Sequence, residues 1–431
     1  MTVLTTSLPS SGPVGGLILD RPRFPSLPVV YPDRQRAARR RAPATAKPTV
    51  AKAQSKFRGW GTGILGTSKR YRRTVLKYLT VRKMWNAVKL VLQTYLRTET
   101  TTARPLVLRI EPTNVCNLEC PGCITGVKRN PNPNGLMSLE DFKKNIDDSY
   151  KDTLLLRLDG MGEPLLNKHL PEMIGYAHRK GVGTAISANL NIASEATLRA
   201  VIEAGLDQIV VSCDGATQEV YEKYRVNGDV EMVFENLETL IRLKKEMNVS
   251  HPFVEFQYIK FDHNGHEIEA ARERAEALGV DRFVTFKSGV ADFPDFGKWG
   301  ERDLSKSVLV RKENANFKSS CYWLYLTHTV LASGNVSTCC TGMAAKFSAG
   351  NAKEQGPNEI RNNSIFRFLR KMYKTQDRFV ALDTELIEET GTALAEAKCM
   401  NCSRFPYEWK NVDDLSEADQ QQIVQVGVSM N

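Results

Sequence analysis

Three thiols, Cys116, Cys120 and Cys123, stand in a C-x3-C-x2-C spacing within the stretch EPTNVCNLECPGC. Thiolates are soft ligands suited to zinc or to iron–sulfur clusters, and three of them leave a four-ligand site one place short. A second group lies far downstream: Cys321, Cys339 and Cys340, then the C-x2-C pair Cys399 and Cys402. Four thiolates drawn from it suit a fully ligated cluster or a structural zinc. Cys213 stands alone in an apolar run and is expected to be a core thiol. Between the two groups, Gly160-Met161-Gly162-Glu163-Pro164 places glycines where backbone could approach a ligand and a carboxylate that could accept from an ammonium or hydroxyl.

The elements that must position these residues follow a regular beat. Apolar strand runs are expected at 106–113, 153–160, 183–189, 208–215, 253–261 and 281–287. Helical periodicity separates them at 138–150, 169–181, 194–204, 230–247 and 266–279. Short connections and apolar strands argue a parallel sheet with helices outside, as an incomplete barrel or an open doubly wound sheet. In either arrangement the loops after the strands carry the chemistry. The cysteine triplet follows the first strand and GMGEP the second, so both fall at the same end. Ser187 and Asn189 end the third strand, Ser212 and Asp214 the fourth, and Arg225 opens the next helical region.

Flanking segments differ in composition. Residues 1–100 carry twenty Lys and Arg against three acids, while the whole chain of 431 residues sums to +10. The basicity therefore belongs to the N-terminal part, and the remaining body is net acidic. Residues 1–68 lack sustained periodicity and are expected to be disordered. Their first nineteen residues are interrupted by Pro9, Pro13, Gly15 and Gly16 and have no basic region before an apolar core. A Sec signal is not expected, although an Arg-rich, acid-poor start also suits an organellar transit peptide. The thiols then read as metal ligands in a cytoplasmic chain rather than as disulfides.

A helix is expected from Tyr71 to Arg97. Its apolar stripe of Val81, Met84, Trp85, Val88, Val91, Leu92, Tyr95 and Leu96 should pack on the next domain, with contact at a membrane surface as the alternative. The uncharged run between Lys318 and Lys346 is split by Ser333-Gly334-Asn335 and reads as a β-hairpin, not a membrane span.

CNLECPGC and GMGEP, in this order on consecutive strand ends, closely resemble the cluster-binding and cofactor-binding motifs of the radical S-adenosylmethionine (SAM) enzymes. The resemblance covers roughly residues 105–290. It implies a partial (β/α)6 TIM-like barrel, in the α/β class. It also implies a [4Fe-4S] cluster on Cys116, Cys120 and Cys123 whose fourth iron takes the amino and carboxylate groups of SAM. The open place is thereby the cofactor's, and SAM cleavage would yield a 5′-deoxyadenosyl radical that takes hydrogen from a substrate. Gly160, Met161, Gly162 and Glu163 would bind SAM, and Ser187, Asn189, Ser212, Asp214 and Arg225 match positions that contact its ribose or carboxylate. Arg225 alone could equally be a surface salt bridge. One departure is Gly122, where the family often has an aromatic residue before the third cysteine; ring packing on adenine must then come from elsewhere.

The downstream cysteines resemble the SPASM and twitch extensions of the same family. Gly334-x4-Cys339 and the terminal C-x2-C match, which implies one auxiliary [4Fe-4S] cluster on Cys321, Cys339, Cys399 and Cys402, with Cys340 as the alternative to Cys339. Electron transfer or structural stapling are its two roles.

The resulting plan is a disordered basic extension (1–68), an amphipathic helical lead-in (69–104), a radical SAM core (105–290), a linker (291–317), a small Cys-rich α+β auxiliary domain (318–410) and a tail (411–431). The function expected is oxidation, epimerisation or remodelling of a small molecule such as a sugar or cyclitol, with a flavodoxin or ferredoxin as reductant. A peptide- or protein-modifying maturase is the alternative; residues 1–100 lack the strand alternation of a winged-helix leader-binding module. A non-enzymatic iron–sulfur or zinc protein would leave GMGEP unexplained, and the basic segment lacks the interleaved aromatics of a nucleic-acid binder. No residue pattern identifies a catalytic acid or base.

Overall fold

A computed structural model of the chain describes residues 69–287, 307–311, 321–339, 348–375, 379–380, 407–411, 415–416 and 419–420. The extension 1–68, most of the tail, and Cys340, Cys399 and Cys402 lie outside the described residues.

Two helices, α1 (Lys69–Tyr78) and α2 (Val81–Leu96), precede the sheet. Strands β1 (Val107–Ile110), β2 (Leu155–Leu158), β3 (Gly183–Ala188), β4 (Gln208–Ser212), β5 (Phe253–Lys260) and β6 (Arg282–Lys287) then pair in parallel, each beside the next. Between them run α3 (Leu139–Asp147), α4 (Leu170–Arg179), α5 (Glu195–Glu203), the short α6 (Gln218–Tyr221), α7 (Val230–Glu246) and α8 (Ile268–Leu278). Local chemistry sets their starts. Ser138, Ser194 and Asp229 accept from backbone amides two or three residues on, satisfying donors that a helix's first turn leaves free. Six parallel strands joined by five helical crossovers make the partial TIM-like barrel that the resemblance implies.

The sheet has two unlike faces. Leu108, Ile110, Leu156, Leu158, Ile186, Ile209, Val211 and Phe256 join the helices in one apolar core. Residues of the opposite parity, Arg109, Arg157, Ser187, Ser212, Glu255 and Gln257, stay outside that core. Parallel sheets ordinarily bury apolar residues on both faces. The inner face also holds Leu155, Ala185 and Val210, and the polar positions among them mark a site rather than packing.

Two parts depart from expectation. The hairpin between Lys318 and Lys346 is present as β8 (Thr327–Val330) and β9 (Val336–Ser337), but β8 pairs in parallel with β1, Leu108 opposite His328. It extends the core sheet instead of standing apart from it. Residues 291–317, expected to be a linker, contribute β7 (Ser307–Arg311), the centre of a second, antiparallel sheet with β10 (Phe379–Val380) and β11 (Tyr407–Asn411). Both pairings join residues far apart in sequence, which local patterning does not reveal. Downstream of the hairpin, α9 (Pro357–Ile360) and α10 (Ser364–Lys371) are stapled to the segment 324–327 by two buried guanidiniums. Arg361 donates to the Thr327 carbonyl at 2.6 Å, and Arg370 donates to the Leu324 carbonyl at 2.9 Å and the Arg361 carbonyl at 2.6 Å.

The lead-in is also corrected. The single expected helix breaks at Leu79–Thr80, where the Thr80 hydroxyl caps α2 by accepting from the Lys83 amide. More consequentially, α2 docks by its polar side. Asn86 both accepts from the Arg104 amide (2.9 Å) and donates to the Arg104 carbonyl (3.0 Å), and the Lys83 ammonium donates to the Gly181 carbonyl (2.6 Å). Arg82 grips Asp152 with two hydrogen bonds of 2.8 Å. These partners precede β1, β3 and β2, so α2 closes the ends of the strands opposite the cysteine loop. Backbone groups there need donors and acceptors more than apolar cover. The stripe expected to pack inward faces out instead, from Val81 to Leu96.

The docking mode can be tested by paired substitutions. Asn86→Ala, which strips both Arg104 bonds from a buried site, is expected to cost about 1–3 kcal/mol in urea unfolding. Leu92→Ser, on the outward stripe, is expected to change stability by less than about 0.5 kcal/mol. The reverse ranking would place the stripe in the core.

Candidate functional site

The cysteine loop leaves β1 through Glu111 and returns to α3. Asparagine side chains hold its base: Asn114 donates to the Pro133 carbonyl and accepts from the Gly135 amide, both at 2.8 Å, and Asn167 donates to the Pro112 carbonyl at 2.8 Å. Within the loop, Cys120 to Val127 forms tight turns, with the Cys123 amide on the Cys120 carbonyl and the Val127 amide on the Cys123 carbonyl. A side chain at Gly126 would strike the Cys120 backbone.

The three thiols gather in one patch with Leu118, Tyr224 and Phe261. The Leu118 amide (3.4 Å) and the Asn189 side-chain amide (3.9 Å) point donors at the Cys116 sulfur. Burial pushes the Cys116 thiol up to about 11, partly offset by the Leu118 amide. Burial also raises Cys120, while the neighbouring Arg225 guanidinium pulls it back. Thiols raised in this way keep their protons until a metal displaces them.

Among the described residues, no three Cys, His or carboxylate side chains are arranged around a single metal ion. A four-iron cluster instead draws one thiolate to each of three irons. Three thiols in one patch fit such a cluster, and the buried Arg225 guanidinium beside Cys120 suits an anionic group.

GMGEP packs directly on this loop. The Glu163 amide donates to the Val115 carbonyl at 2.9 Å, and the Met161 amide donates to the Glu111 carboxylate at 2.8 Å. A Cβ at Gly160 would meet the Glu111 side chain, and one at Gly162 the carbonyls of Thr113 and Val115. Glu163 is buried and accepts from the amides of Leu165 (3.2 Å) and Asn189 (2.7 Å). Burial raises it to about 7 despite those two amides and the Arg225 charge. Two amides leave part of a carboxylate's acceptor capacity open, so an incoming ammonium could be accepted there.

Ser187 and Ser212 face each other on the inner surface, hydroxyl to hydroxyl at 3.3 Å. Asn189 reaches both Cys116 and Asn117, and its backbone amide holds Glu163. Asp214 and Arg225 form a buried ion pair at 2.6 Å, and the second Asp214 oxygen accepts from the Ile259 amide. Arg225 is therefore neither a surface bridge nor an unpaired carboxylate clamp. Cys213 is buried in the main core, donates to the Gly215 carbonyl, and is pushed by burial up to about 12. Cys321 and Cys339 flank the β8–β9 hairpin, partly buried against the core.

Sequence reasoning passed over two features of the site. Glu111 binds the Met161 amide with one oxygen and the Ala332 amide, at the tip of the C-terminal hairpin, with the other at 3.1 Å. An acid directly after an apolar strand was the available signal. Tyr224 and Phe261 pack with ring centres 4.3 Å apart beside the thiols. They furnish the aromatic surface that Gly122 does not.

Comparison with known proteins agrees with this geometry. Residues 110–279 match the radical SAM superfamily, and residues 321–403 match SPASM, an iron-sulfur cluster-binding domain. The chain carries a radical SAM domain and a SPASM domain. The two domains together imply a [4Fe-4S] cluster, SAM and auxiliary iron–sulfur clusters.

The chain is 35% identical over 113 residues to the Fe-coproporphyrin III synthase of Methanosarcina barkeri, covering 26% of this chain and 28% of that one. It is 32% identical over 138 residues to the mycofactocin maturase MftC of Mycobacterium tuberculosis, covering 32% and 34%. The match thus spans about a third of these relatives. The structure of Streptococcus suis SuiB bound to S-adenosylmethionine superposes with a TM-score of 0.53 at 13% identity, covering 77% of this chain and 82% of that one, and shares the fold.

Glu163 generates a pH test on metal-free protein. Its folded value near 7 lies above the ordinary 4.5, so the folded state keeps a proton that the unfolded chain gives up. The stability contributed by that group is present below pH 4.5 and is lost as pH rises through about 7. Relative to Glu163→Gln, wild type is expected to lose up to ~3 kcal/mol between about pH 5 and about pH 7.5 in urea unfolding. A constant difference across that range would show that the carboxylate already has a countercharge.

Proposed function

We propose that the chain is a radical SAM enzyme that reductively cleaves S-adenosylmethionine and directs the 5′-deoxyadenosyl radical at a small polar molecule, such as a sugar or cyclitol, which it oxidises, epimerises or otherwise remodels. The observation that carries the substrate class is the set of polar side chains on the inner face of the sheet. Arg109 and Arg157 converge on Asp159 there, Arg109 at 2.6 Å, with Ser187, Ser212 and Gln257 on neighbouring strands. Those side chains offer hydrogen bonds to hydroxyls.

In this reading Cys116, Cys120 and Cys123 hold the cluster. The Leu118 amide and Asn189 steady the Cys116 thiolate, and the Asp214–Arg225 pair sets a positive charge beside Cys120. Gly160, Met161 and Gly162 keep backbone close to the cofactor, and Glu163 accepts from its ammonium. Ser187, Ser212 and Asn189 meet its ribose and carboxylate, and Tyr224 with Phe261 packs its adenine. Cys321, Cys339, Cys399 and Cys402 hold an auxiliary cluster that passes electrons, for which a closed ligand set is suited. Flavodoxin or ferredoxin is the reductant, in the cytoplasm.

A second reading, modification of a peptide, is favoured by the similarity to the mycofactocin maturase over 138 residues. Anaerobically reconstituted protein is expected to hold roughly eight irons per chain, four per cluster, and to form 5′-deoxyadenosine from SAM under reduction. Cys116→Ala/Cys120→Ala/Cys123→Ala should keep about half of that iron and form none. 5′-Deoxyadenosine from the triple variant would overturn the assignment. Sugar, cyclitol and peptide panels then separate the two substrate classes by which one accelerates 5′-deoxyadenosine formation and is itself changed.

A further inference from the structure

The outward stripe of α2 is an apolar surface that the site does not use. Val81 is 79% exposed, Trp85 60%, Leu92 53% and Tyr95 75%, and Leu76 of α1 continues the surface at 71%. These side chains share one side of the helix, while Lys83, Asn86, Leu90 and Thr94 form the buried seam on the other. A solvent-facing helix ordinarily reverses this arrangement.

Charge decides what such a face can meet. Residues 69–97 hold nine Lys and Arg and no Asp or Glu. Lys77, Arg82, Lys83 and Arg97 bind groups of the chain itself. Arg72, Arg73 and Lys89 are exposed and have no ion pair among the described residues. The Lys89 ammonium lies 5.9 Å from the Trp85 ring centre, so an apolar stripe and cationic heads occupy one surface. Residues 1–68 add eleven Lys and Arg against two acids. The net charge of that segment has the same sign as that of the helices. A second copy would bring the same positive surface.

The complementary partner is anionic and apolar at once. We propose that α1 and α2 form an in-plane docking surface for an anionic lipid bilayer. The stripe enters the acyl boundary, Trp85 and Tyr95 sit at headgroup level, and Arg72, Arg73 and Lys89 meet lipid phosphates. Among the described residues no helix is long and apolar enough to cross a membrane, and this mode requires none. The surface lies at the opposite end of the strands from the cysteine loop, so docking leaves the site accessible from the aqueous side.

Sedimentation of the full chain with vesicles tests this. Vesicles of phosphatidylcholine with phosphatidylglycerol, at roughly 70:30, are expected to bind it at least about tenfold more strongly than phosphatidylcholine alone, with weaker binding at high salt. The triple variant Trp85→Ser/Val88→Ser/Leu92→Ser should lose about tenfold or more in binding while keeping the wild-type urea midpoint, because the three positions are exposed. Absence of binding to the anionic vesicles, or binding that survives the triple substitution, would overturn the proposal. A wild-type dimer that the variant turns into monomer, with no vesicle binding by either, would overturn it in favour of self-association.

Discussion

The close approach of two loops governs the rest of the site. The chain after β2 lies so near the chain after β1 that Gly162 has only carbonyl oxygens where a Cβ would stand, and the Glu163 amide bonds the residue next to Cys116. Steric exclusion at Gly160 and Gly162 and one backbone hydrogen bond thus fix the acid relative to the thiols. Asn189 then closes the arrangement from β3, binding Glu163 through its amide and reaching Cys116 through its side chain. Three strand ends are thereby locked to one another by groups that do not depend on any bound cofactor.

Much of this was legible because it is local. The alternation of apolar runs and helical periodicity marks β1 to β6 and their helices, and a cysteine triplet and a Gly-rich acidic turn are visible as strings. What was not legible depends on long-range pairing or on inverted amphipathicity. Nothing within SVLVR says that it will sit between segments beginning at Phe379 and Tyr407. Nothing within THTV says that β1 is its neighbour. For α2, periodicity located both faces correctly, but the rule that the apolar face turns inward failed. The surface awaiting it consisted of unpaired carbonyls, amides and Asp152, for which Asn86, Lys83 and Arg82 are better partners than leucine. Tyr224 and Phe261 escaped notice because their nearness to the thiols arises only when the segments after β4 and β5 fold back on the cysteine loop.

One physical theme links the two ends of the sheet. Parallel strands leave polar backbone at both extremities and, here, polar side chains on the inner face. At one end that demand is met internally, by a helix that spends its hydrogen-bonding side chains on strand termini. At the other end the loops satisfy one another yet leave raised thiols and a buried acid whose value burial lifts. The closed end is structure, and the open end has room for chemistry.

The pairing of β8 with β1 has a consequence for biosynthesis. Strand β1 is made early, and β2 covers only one of its edges. Its other edge, a row of unpaired amides and carbonyls able to recruit a foreign strand, stays bare until residues 327–330 have left the ribosome. A nascent chain halted after β6 would hold both motif loops but an unfinished sheet, and would be prone to pair with its neighbours on the same message. Glu111 sits at the end of that same edge, and its second oxygen finds the Ala332 amide only after the hairpin arrives. The last contact of Glu111 thus waits on a segment 221 residues further along the chain.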